Sequence, residues 1–406
     1  MGSGTAALQH PSVDATGIGA KVTQVAADIS VLMTNRIEDV EASWRLLEAS
    51  GVESPGQSYD FIALWVKNRR LPSCDQTYIV GSVDGEPVAL LPLRRRRTRG
   101  VRLLSWFPGS NVGCYAPIAN LERLEQLGPV GRKALWARMT ARLTGADLIY
   151  LRWLPGRVGG RTGLFDELGV ALPVETLYRA EFASWAECER VQRSKSRRKH
   201  DRQQGDRLDA LGQVTFEVSR NGDDARDTID TMFRQRSARF KAMGIRDIFV
   251  RDGLTEFYHA AVAANSGIAV QLQVLRLGGQ IVAVRYNVVH GTRMFCLISS
   301  MSDDETVQAG SPGKQCLLRV MQSVFEQGYT MFDMGAGLTD EKRHWCNVQI
   351  PLQHHYVPLS AWGRTVLAAH RVIQKSRRQI KGHKKLITAL RAPGQWLHRH
   401  AGQKSK

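Results

Sequence analysis

The stretch SSMSDDETVQAGSPGKQCLLRVMQSVFEQGYTMFDMGAGLTDEKRHW, from Ser299 to Trp345, decides the fold. It predicts a strand, an acidic turn, a glycine-bearing loop (Gln308 to Lys314), an amphipathic helix (Lys314 to Gln327) and a second strand (Tyr329 to Met334). A glycine-rich loop that opens a helix presents unpaired N–H groups and the positive end of the helix dipole, which suits a phosphate. The loop lacks the spacing of a P-loop or of a dinucleotide fingerprint. Taken alone, such a loop is more often an ordinary helix cap than a ligand site.

The residues before this stretch predict an antiparallel meander. The run QLQVLRLGGQIVAVRYNVV, from Gln271 to Val289, has the pattern of two strands about the turn Gly278-Gly279. Thr292 to Ser299 follows as a third strand. The second half of the chain is therefore expected to contain, in this order, a meander, a loop, a helix and a last strand.

The first half of the chain repeats this order. Tyr78 to Leu93 predicts a hairpin about the turn Asp84-Gly85. Lys133 to Leu143 predicts a helix, and Asp147 to Leu154 predicts a buried strand. We interpret the repeat as an α/β fold of tandem units with mixed sheets flanked by helices. Two unrelated α/β domains are the alternative.

The composition is that of a folded protein. The chain has 406 residues, of which 43% are hydrophobic and 23% charged, so a mainly disordered or fibrous chain is excluded. The six cysteines are scattered without metal-binding spacing, which favours a reduced, cytoplasmic protein. The N-terminus lacks the pattern of a signal peptide, and no apolar run reaches the roughly 18 residues that a membrane span needs. We expect a soluble protein.

The net charge of +18 is concentrated at the C-terminal end. No Asp or Glu follows Glu341, whereas Lys342 to Lys406 contains 14 Lys and Arg residues. Smaller basic clusters lie at Arg94 to Arg99 and at Arg193 to Arg207, and such runs attract phosphate groups. We interpret residues 361–406 as a basic helical tail. It either contacts an anionic membrane at the inner face or packs on the protein with its charges in water.

The order of these motifs resembles the GNAT acyltransferase superfamily, and within it the CelD-like branch that is associated with cellulose or exopolysaccharide production. The basic stretch RSKSRRKHDRQQGDRLDALGQVTFEV begins at Arg193. The hairpin sequence GGQIVAVRYNV follows it, and Ser311-Pro312-Gly313 then opens a helix. The resemblance covers residues 180–350 and reaches the first half only as a general layout. Tandem units of this kind also resemble the Fem-type aminoacyl transferases.

The resemblance implies a site for acyl-CoA, with acetyl-CoA as the expected donor. The residues expected to bind it are Gly310, Ser311, Gly313 and Lys314. The pantetheine would lie between two splayed strands, Phe295 to Ser299 and Tyr329 to Met334. Arg198 and Arg202, four residues apart on a predicted helix, are expected to face one anionic substrate, although exposed surface arginines are the alternative.

The resemblance also implies a set of catalytic residues after the last strand. The branch's final motif is a strand that ends in Asp, followed by Gly and then by Tyr-Lys. This chain has Asp333, Gly337 and Lys342 at the matching positions, and Glu341 at the position of the Tyr. A general base must take the proton of the attacking amine or hydroxyl. Asp333 is the first candidate and Glu341 the second. Lys342 and Gly337 are expected to contact the substrate or the CoA 3′-phosphate.

These residues also have structural alternatives. Asp333 would then cap the turn Gly335 to Gly337, while Glu341 and Lys342 would belong to a solvated helix. The histidines form neither HxxxH nor HExxH, and no GxSxG occurs, so neither a metal site nor a covalent intermediate is expected.

We therefore divide the chain into four parts. These are a disordered N-terminus (1–26), an N-terminal GNAT-like unit (27–180), a C-terminal GNAT-like acyltransferase domain (181–360) and the basic tail (361–406). The expected activity is acyl transfer from acyl-CoA to an amine or hydroxyl of a sugar-, lipid- or polymer-linked acceptor, as in exopolysaccharide biosynthesis. One alternative is a Fem-like transferase that uses aminoacyl-tRNA, and another is a non-enzymatic scaffold that binds a membrane or polyanion through the tail. We expect that the N-terminal unit does not bind CoA.

Overall fold

The computed structural model describes residues 28–107, 112–219, 223–244 and 246–382. The N-terminus that the sequence predicts as disordered (1–26) lies outside the described residues. The part of the basic tail beyond residue 382 also lies outside them.

Strands and helices alternate in two similar series. The strands are β1 (Ile29–Thr34), β2 (Gln76–Val83), β3 (Glu86–Thr98), β4 (Val101–Ser105), β5 (Ile118–Ala119), β6 (Leu148–Pro155), β7 (Arg157–Val158), β8 (Arg161–Thr162), β9 (Val170–Glu181), β10 (Val214–Ser219), β11 (Ala269–Leu277), β12 (Gln280–His290), β13 (Arg293–Met301), β14 (Met331–Ala336) and β15 (Val348–Pro358). The helices are α1 (Glu41–Glu48), α2 (Tyr59–Asn68), α3 (Leu121–Gln126), α4 (Gly128–Ala141), α5 (Trp185–Gln192), α6 (Lys195–Asp209), α7 (Asp223–Ala242), α8 (Ile248–Arg251), α9 (Thr255–Ala261), α10 (Glu305–Gln308), α11 (Pro312–Glu326), α12 (Asp340–Trp345) and α13 (Ala361–Gly382). Short 3-10 helices lie at Ile37–Val40, Pro55–Gln57 and Ser73–Asp75.

Both halves of the chain build the unit that the sequence predicts. Strands β1 to β4 pair antiparallel in sequence order, and β4 then pairs parallel with β6. Strands β10 to β13 pair in the same way, and β13 pairs parallel with β14. Helices α3 and α4 connect the parallel strands of the first half, and α10 and α11 connect those of the second. The predicted tandem α/β architecture is confirmed.

The two units share one continuous sheet because their last strands are exchanged. The sheet order is β1-β2-β3-β4-β6-β15-β9-β14-β13-β12-β11-β10, with β5 on β3. Strand β9, the last of the first half, therefore pairs with β14 of the second half, while β15 pairs with β6 of the first. The two exchanged strands also pair antiparallel with each other. The boundary at residues 180 and 181 stays a prediction, but the sheet itself is joined across it.

Helix α11 fixes the position of the loop in the second half. Leu317, Met321 and Val324 lie about one turn apart and are fully buried against the meander, as their spacing predicts. Burying each such side chain contributes roughly 1.5–3 kcal/mol. Gly328, with φ of +80°, follows the end of the helix in a conformation that favours glycine. The N-terminus of α11 is thereby held beside the end of β13.

The first turns of α13 pack on the sheet. Leu367 is buried in a cluster with Leu148 and Tyr356. Gly363 lies so close to the backbone of Asp147 that a Cβ there would be 1.9 Å from the Asp147 carbonyl oxygen. The beginning of the predicted tail is therefore part of the folded structure, which is the second of the two sequence-based alternatives for this segment.

Candidate functional site

A cleft opens where β13 and β14 part. The two strands pair only from Arg293–Met331 to Phe295–Asp333, although β13 continues to Met301. Two adjoining cavities, each of about 400 Å³, occupy the opening. We name them the loop cavity, beside the start of α11, and the inter-unit cavity, between the two halves. The residues that line both are Arg285, Ser299, Thr339 and Glu341.

The loop cavity lies at the N-terminus of α11. Its wall contains Ser311, Gly313 and Lys314, three of the four residues expected to bind acyl-CoA. The end of β13 forms another part of the wall, and Arg239 of α7 adds a second cation beside Lys314. The lining also contains Asp340 and Glu341, which pair with Arg343 and Arg285 respectively. The helix dipole, Lys314 and Arg239 then make the start of α11 the part of the cavity that favours an anion.

The glycines of the loop have a packing role that the sequence did not reveal. A Cβ on Gly310 would lie 2.4 Å from Cγ of Leu208 on α6, and a Cβ on Gly313 would lie 2.8 Å from Sδ of Met301. Gly310 faces α6 and is not among the residues that line the loop cavity. Gly313 does line the loop cavity, so its assignment to acyl-CoA stays a prediction, and both glycines also permit a close approach of Leu208 or Met301.

Helix α6 also holds Ser311 in an unusual conformation. Ser311 has φ of +52°, a left-handed value that is uncommon for serine. Its hydroxyl accepts a hydrogen bond from Nε2 of Gln204 at 2.9 Å, and Nε2 of Gln315 donates to the carbonyl oxygen of Asp201 at 2.7 Å. A strained residue that is braced by a second element is typical of a functional loop.

Arg198 and Arg202, the predicted substrate-binding arginines, are exposed on α6. They line neither of the two cavities. The neighbouring Arg193 and Arg197 instead pair with the buried Asp201, at 3.1 and 3.2 Å. The four-residue spacing thus placed the two arginines on one helix correctly but did not identify which side of α6 is buried.

The inter-unit cavity is built from both halves of the chain. The second half supplies all three residues predicted to be catalytic, and the first half supplies part of the opposite wall. These residues are Asp333, Glu341 and Lys342 on one side and Val112, Gly113 and Trp153 on the other. Trp153 has φ of +58°, a rare value for a bulky residue, and its backbone N–H donates to Nδ1 of His354 at 3.2 Å. The wall on this side is therefore held in a strained shape.

Asp333 is buried, and both of its carboxylate oxygens have a donor. Oδ2 accepts a hydrogen bond from Nε of Arg179 at 2.8 Å, and Oδ1 accepts one from the N–H of Gly335 at 2.7 Å. The second bond is the turn cap that sequence reasoning kept as the alternative for Asp333. The residue thus fixes the irregular end of β14, where the pairing with β9 shifts register, while it lines the inter-unit cavity.

Arg179 connects Asp333 to the N-terminal half. Its Nη1 pairs with Oε2 of Glu53 at 2.5 Å, and Arg293 pairs with the other Glu53 oxygen at 3.3 Å. Burial opposes ionisation of Glu53. This effect is outweighed by the charge of Arg179, by the hydrogen bond from the N–H of Gly159 and by the charge of Arg293. Together they hold the pKa of Glu53 below its usual value. The negative charges of two acids and the positive charges of two arginines therefore balance each other between the two halves.

Lys342 closes the turn that Asp333 begins. Its Nζ donates to the carbonyl oxygens of Ala336 and Gly337 at 2.7 and 2.8 Å. Burial lowers the pKa of Lys342, and the nearby Asp333 opposes this shift. Gly337 itself has φ of +84°, which a residue with a Cβ rarely adopts. Both residues shape the turn that forms one edge of the inter-unit cavity.

Glu341 lies where the two cavities meet. Its Oε2 pairs with Nη2 of Arg285 at 3.3 Å, while Oε1 has no partner among the described residues. Arg285 is buried, and its Nε likewise lacks an acceptor within the described part of the chain. Burial opposes the charge of Arg285, but the neighbouring Cys296 and Glu341 raise its pKa. The junction thus offers a carboxylate oxygen that can accept a proton beside a buried guanidinium group.

Sequence reasoning missed Glu53, Arg179 and Arg285. Arg285 stands alone in the apolar run IVAVRYNVV, and a single charge in a buried strand indicates that a partner is buried with it. Arg179, in TLYRAEF, carries the same signal in a weaker form. Glu53 lies outside any periodic segment, so nothing in its local sequence points to the ion pair.

The corresponding opening in the first half is closed by aromatic side chains. Strands β4 and β6 also part after two paired positions. Nε1 of Trp106 donates across the gap to the carbonyl oxygen of Arg152 at 3.1 Å. Trp106 stacks on Tyr115, and Phe107 stacks on Tyr78. Among the described residues, the side chain of Trp106 therefore bridges the place of a ligand groove in this half.

Neither a metal-binding cluster nor a membrane-spanning helix occurs in the described part of the chain. Within residues 28–382, apart from the three gaps, no group of His, Cys, Asp and Glu side chains could hold a metal ion. None of the helices over the same residues is both long and apolar enough to cross a bilayer. The six cysteines are unpaired.

Comparison with known proteins agrees with this geometry. Residues 195–343 match the family model of the Acetyltransferase (GNAT) domain. The matched range contains α6, the loop, α11 and the three predicted catalytic residues. No curated protein matches the chain in sequence. The match supports the coarser of the sequence-based resemblances, that to GNAT acyltransferases.

The chain is also similar to solved structures at low sequence identity. The chain is similar to FemX, with a TM-score of 0.54 and 12% identity over 82% of this chain and 97% of that one. It is also similar to L-PGS from Bacillus licheniformis, with a TM-score of 0.47 and 13% identity over 82% and 97% of the two chains. A tandem GNAT protein from the clavulanic acid biosynthesis pathway gives a TM-score of 0.45 and 10% identity over 82% and 99%.

Proposed function

We propose that this protein is an acyl-CoA-dependent acyltransferase of the GNAT type, from its CelD-like branch. The acyl group, acetyl in the simplest case, would pass to an amine or hydroxyl of a sugar-, lipid- or polymer-linked acceptor, as in exopolysaccharide biosynthesis. One observation carries the proposal. A single cleft between splayed parallel strands joins an anion-favouring helix N-terminus at one end to a junction with an unpartnered carboxylate oxygen.

The pyrophosphate of acyl-CoA is assigned to the loop cavity. Ser311, Gly313 and Lys314 line this cavity at the start of α11, and Arg239 supplies a second cation. Phosphate oxygens would accept hydrogen bonds from the helix N-terminus and from these cations. The pantetheine would follow β13 toward Ser299, which brings the thioester to the junction of the two cavities.

The acceptor is assigned to the inter-unit cavity. Its amine or hydroxyl attacks the thioester carbonyl carbon, so that a C–N or C–O bond forms and the C–S bond breaks. The CoA thiolate leaves and takes up a proton. The nucleophile loses its proton to a general base, and holding the two reactants together supplies much of the acceleration.

We assign the role of general base to Glu341 rather than to Asp333. Oε1 of Glu341 has no partner among the described residues, whereas both oxygens of Asp333 already accept hydrogen bonds. Arg285, beside Glu341, lines both cavities, and its positive charge would stabilise the oxyanion of the tetrahedral intermediate. Asp333, Lys342 and Gly337 are then positioning residues that hold the turn at the edge of the cavity.

The Lys314→Glu substitution tests the placement of acyl-CoA. Lys314 is exposed, so the variant should fold normally. Removing one attraction and adding one repulsion of up to about 1 kcal/mol each should weaken acetyl-CoA affinity by roughly tenfold, measured by calorimetry. The loss should be smaller at high salt because the charges are screened.

Lys133→Glu is the matched control for this experiment. Lys133 is also exposed and lies near the start of α4, the equivalent helix of the first half. Its substitution should leave acetyl-CoA affinity unchanged. Equal affinities of Lys314→Glu and the wild type would place the CoA site elsewhere.

A further inference from the structure

A second concave surface lies on the first half of the chain. Arg94 to Arg97 of β3 and Arg102 of β4 line it, and its volume is about 430 Å³. We name it the arginine cavity. It shares no lining residue with the loop cavity or the inter-unit cavity. Its chemistry is therefore independent of the proposed acyl transfer.

Two of its five guanidinium groups are bound by the protein itself. Arg102 forms two hydrogen bonds with the carboxylate of Asp147, at 2.8 and 3.1 Å. Nη1 of Arg95 donates to the carbonyl oxygen of Thr144 at 2.8 Å. These contacts hold one wall of the cavity.

The other three guanidinium groups form no ion pair among the described residues, although the charge of Asp75 acts on Arg94. Arg94, Arg96 and Arg97 form no ion pair with any described acid, and Nε of Arg94 is buried without an acceptor in the described part of the chain. Burial and then the neighbouring Arg96 lower the pKa of Arg94. Asp75 is the one acid among the residues that line the cavity. Such a cluster of positive charges attracts an anion with several acceptor oxygens.

The arginines are held in a rigid array. Residues 94–98 of β3 pair with residues 101–105 of β4, and the turn between the strands is Arg99-Gly100. Both turn residues have positive φ, as a tight two-residue hairpin requires. Planar guanidinium groups on such a frame match the geometry of phosphate oxygens.

The arginine cavity adjoins the beginning of α13. Leu103 lines the cavity and also packs in the cluster that contains Leu367 of α13. Asp147, the partner of Arg102, also accepts a hydrogen bond from the hydroxyl of Ser360, just before α13, at 3.1 Å. The basic hairpin and α13 are therefore neighbours on the surface.

Helix α13 exposes large apolar side chains together with cations. Trp362, Val372 and Ile373 are 51%, 66% and 46% exposed. Trp362 and Ile373 are about three helical turns apart, so they lie on one flank of the helix. Arg364 and Arg371 are exposed as well. Exposed tryptophan and aliphatic side chains beside arginines are the chemistry of a bilayer interface.

We propose that the arginine cavity and the exposed flank of α13 form a surface that binds anionic phospholipid membranes. Arg94, Arg96 and Arg97 hold headgroup phosphates, while Trp362 and Ile373 enter the boundary between headgroups and acyl chains. A nucleic acid would also attract the arginines, but it would give no role to the exposed aliphatic residues. The combination favours the membrane.

Vesicle flotation with the full-length protein tests this surface. Vesicles of phosphatidylcholine are compared with vesicles that also contain phosphatidylglycerol, at low and at high salt. Each basic residue near an anionic surface contributes roughly fivefold to partitioning, so Arg96→Glu/Arg97→Glu should weaken binding by at least about 25-fold. Trp362→Ser should weaken it as well, and this second loss should persist at high salt because it is not electrostatic.

The matched control is Arg198→Glu/Arg202→Glu, which makes the same change of charge at exposed positions of α6 and should leave flotation nearly unchanged. Arg96→Gln/Arg97→Gln replaces the first variant if circular dichroism shows that it does not fold. Equal binding to both kinds of vesicle, or an equal loss in the control, overturns the proposal. Binding of tRNA or of inorganic phosphate without binding to either vesicle also overturns it.

Discussion

Glu341→Gln should lower the rate of acyl transfer by about 10²- to 10⁴-fold, which is the usual contribution of a general base. Glutamine keeps the size of the side chain but cannot take a proton from the acceptor. Acetyl-CoA affinity should change little because the pyrophosphate is assigned to the other end of the cleft. The rate is measured as release of the CoA thiol with an acceptor that the wild type acylates, and the affinity by calorimetry.

Two further variants serve as comparisons for Glu341→Gln. Glu326→Gln changes an exposed acid at the far end of α11 and should keep the wild-type rate. Asp333→Asn should lower the rate less than Glu341→Gln does, because Asp333 is assigned a positioning role. A full rate in Glu341→Gln together with a large loss in Asp333→Asn would return the role of base to Asp333.

Arg179→Met should lower the free energy of unfolding by about 3–5 kcal/mol, the usual cost of removing one partner from a buried ion pair. Arg179, Glu53 and Asp333 are each at most 6% exposed at their side chains. Methionine fills much of the volume but leaves the two carboxylates without their shared counter-charge. Urea unfolding measures the change.

The control for Arg179 is Arg198→Met, which removes the charge of an exposed arginine and should stay within about 0.5 kcal/mol of the wild type. A change of similar size in both variants would mean that the ion pair between the two halves does not stabilise the fold.

The predicted elements that the structure reproduces are those with strong local signals. The turn Gly278-Gly279, flanked by apolar runs, gave the hairpin of β11 and β12, since the turn type and the alternation of side chains are local properties. Helix α11 was evident from its apolar spacing for the same reason.

The exchange of β9 and β15 could not be read from the sequence. Strand β9 includes Pro173 and has mostly half-exposed residues over its first part, so it lacks the clean alternation of a strand. Its partners β14 and β15 follow more than a hundred residues later. Such pairing depends on tertiary contacts, which no local pattern encodes.

The residues of the candidate site also fall into those that the sequence predicted and those that only the tertiary structure shows. The resemblance assigned the loop residues Ser311 and Lys314 to acyl-CoA and the acids Asp333 and Glu341 to the general base. The structure places all four along one cleft. The packing reason for Gly310 and the partner of Asp333 come from α6 and from the exchanged strand β9, so they required the tertiary structure.

Titration calorimetry of the full-length protein with acetyl-CoA tests the central claim most directly. The second half has an open cleft, whereas Trp106 is bonded across the corresponding gap of the first half. We therefore expect one bound acetyl-CoA per chain. The Lys314→Glu protein should bind it roughly tenfold more weakly. Two bound molecules per chain would contradict the assignment of the N-terminal unit. No binding of acetyl-CoA or free CoA, together with binding of an aminoacyl-tRNA, would contradict the account as a whole and favour a Fem-like transferase.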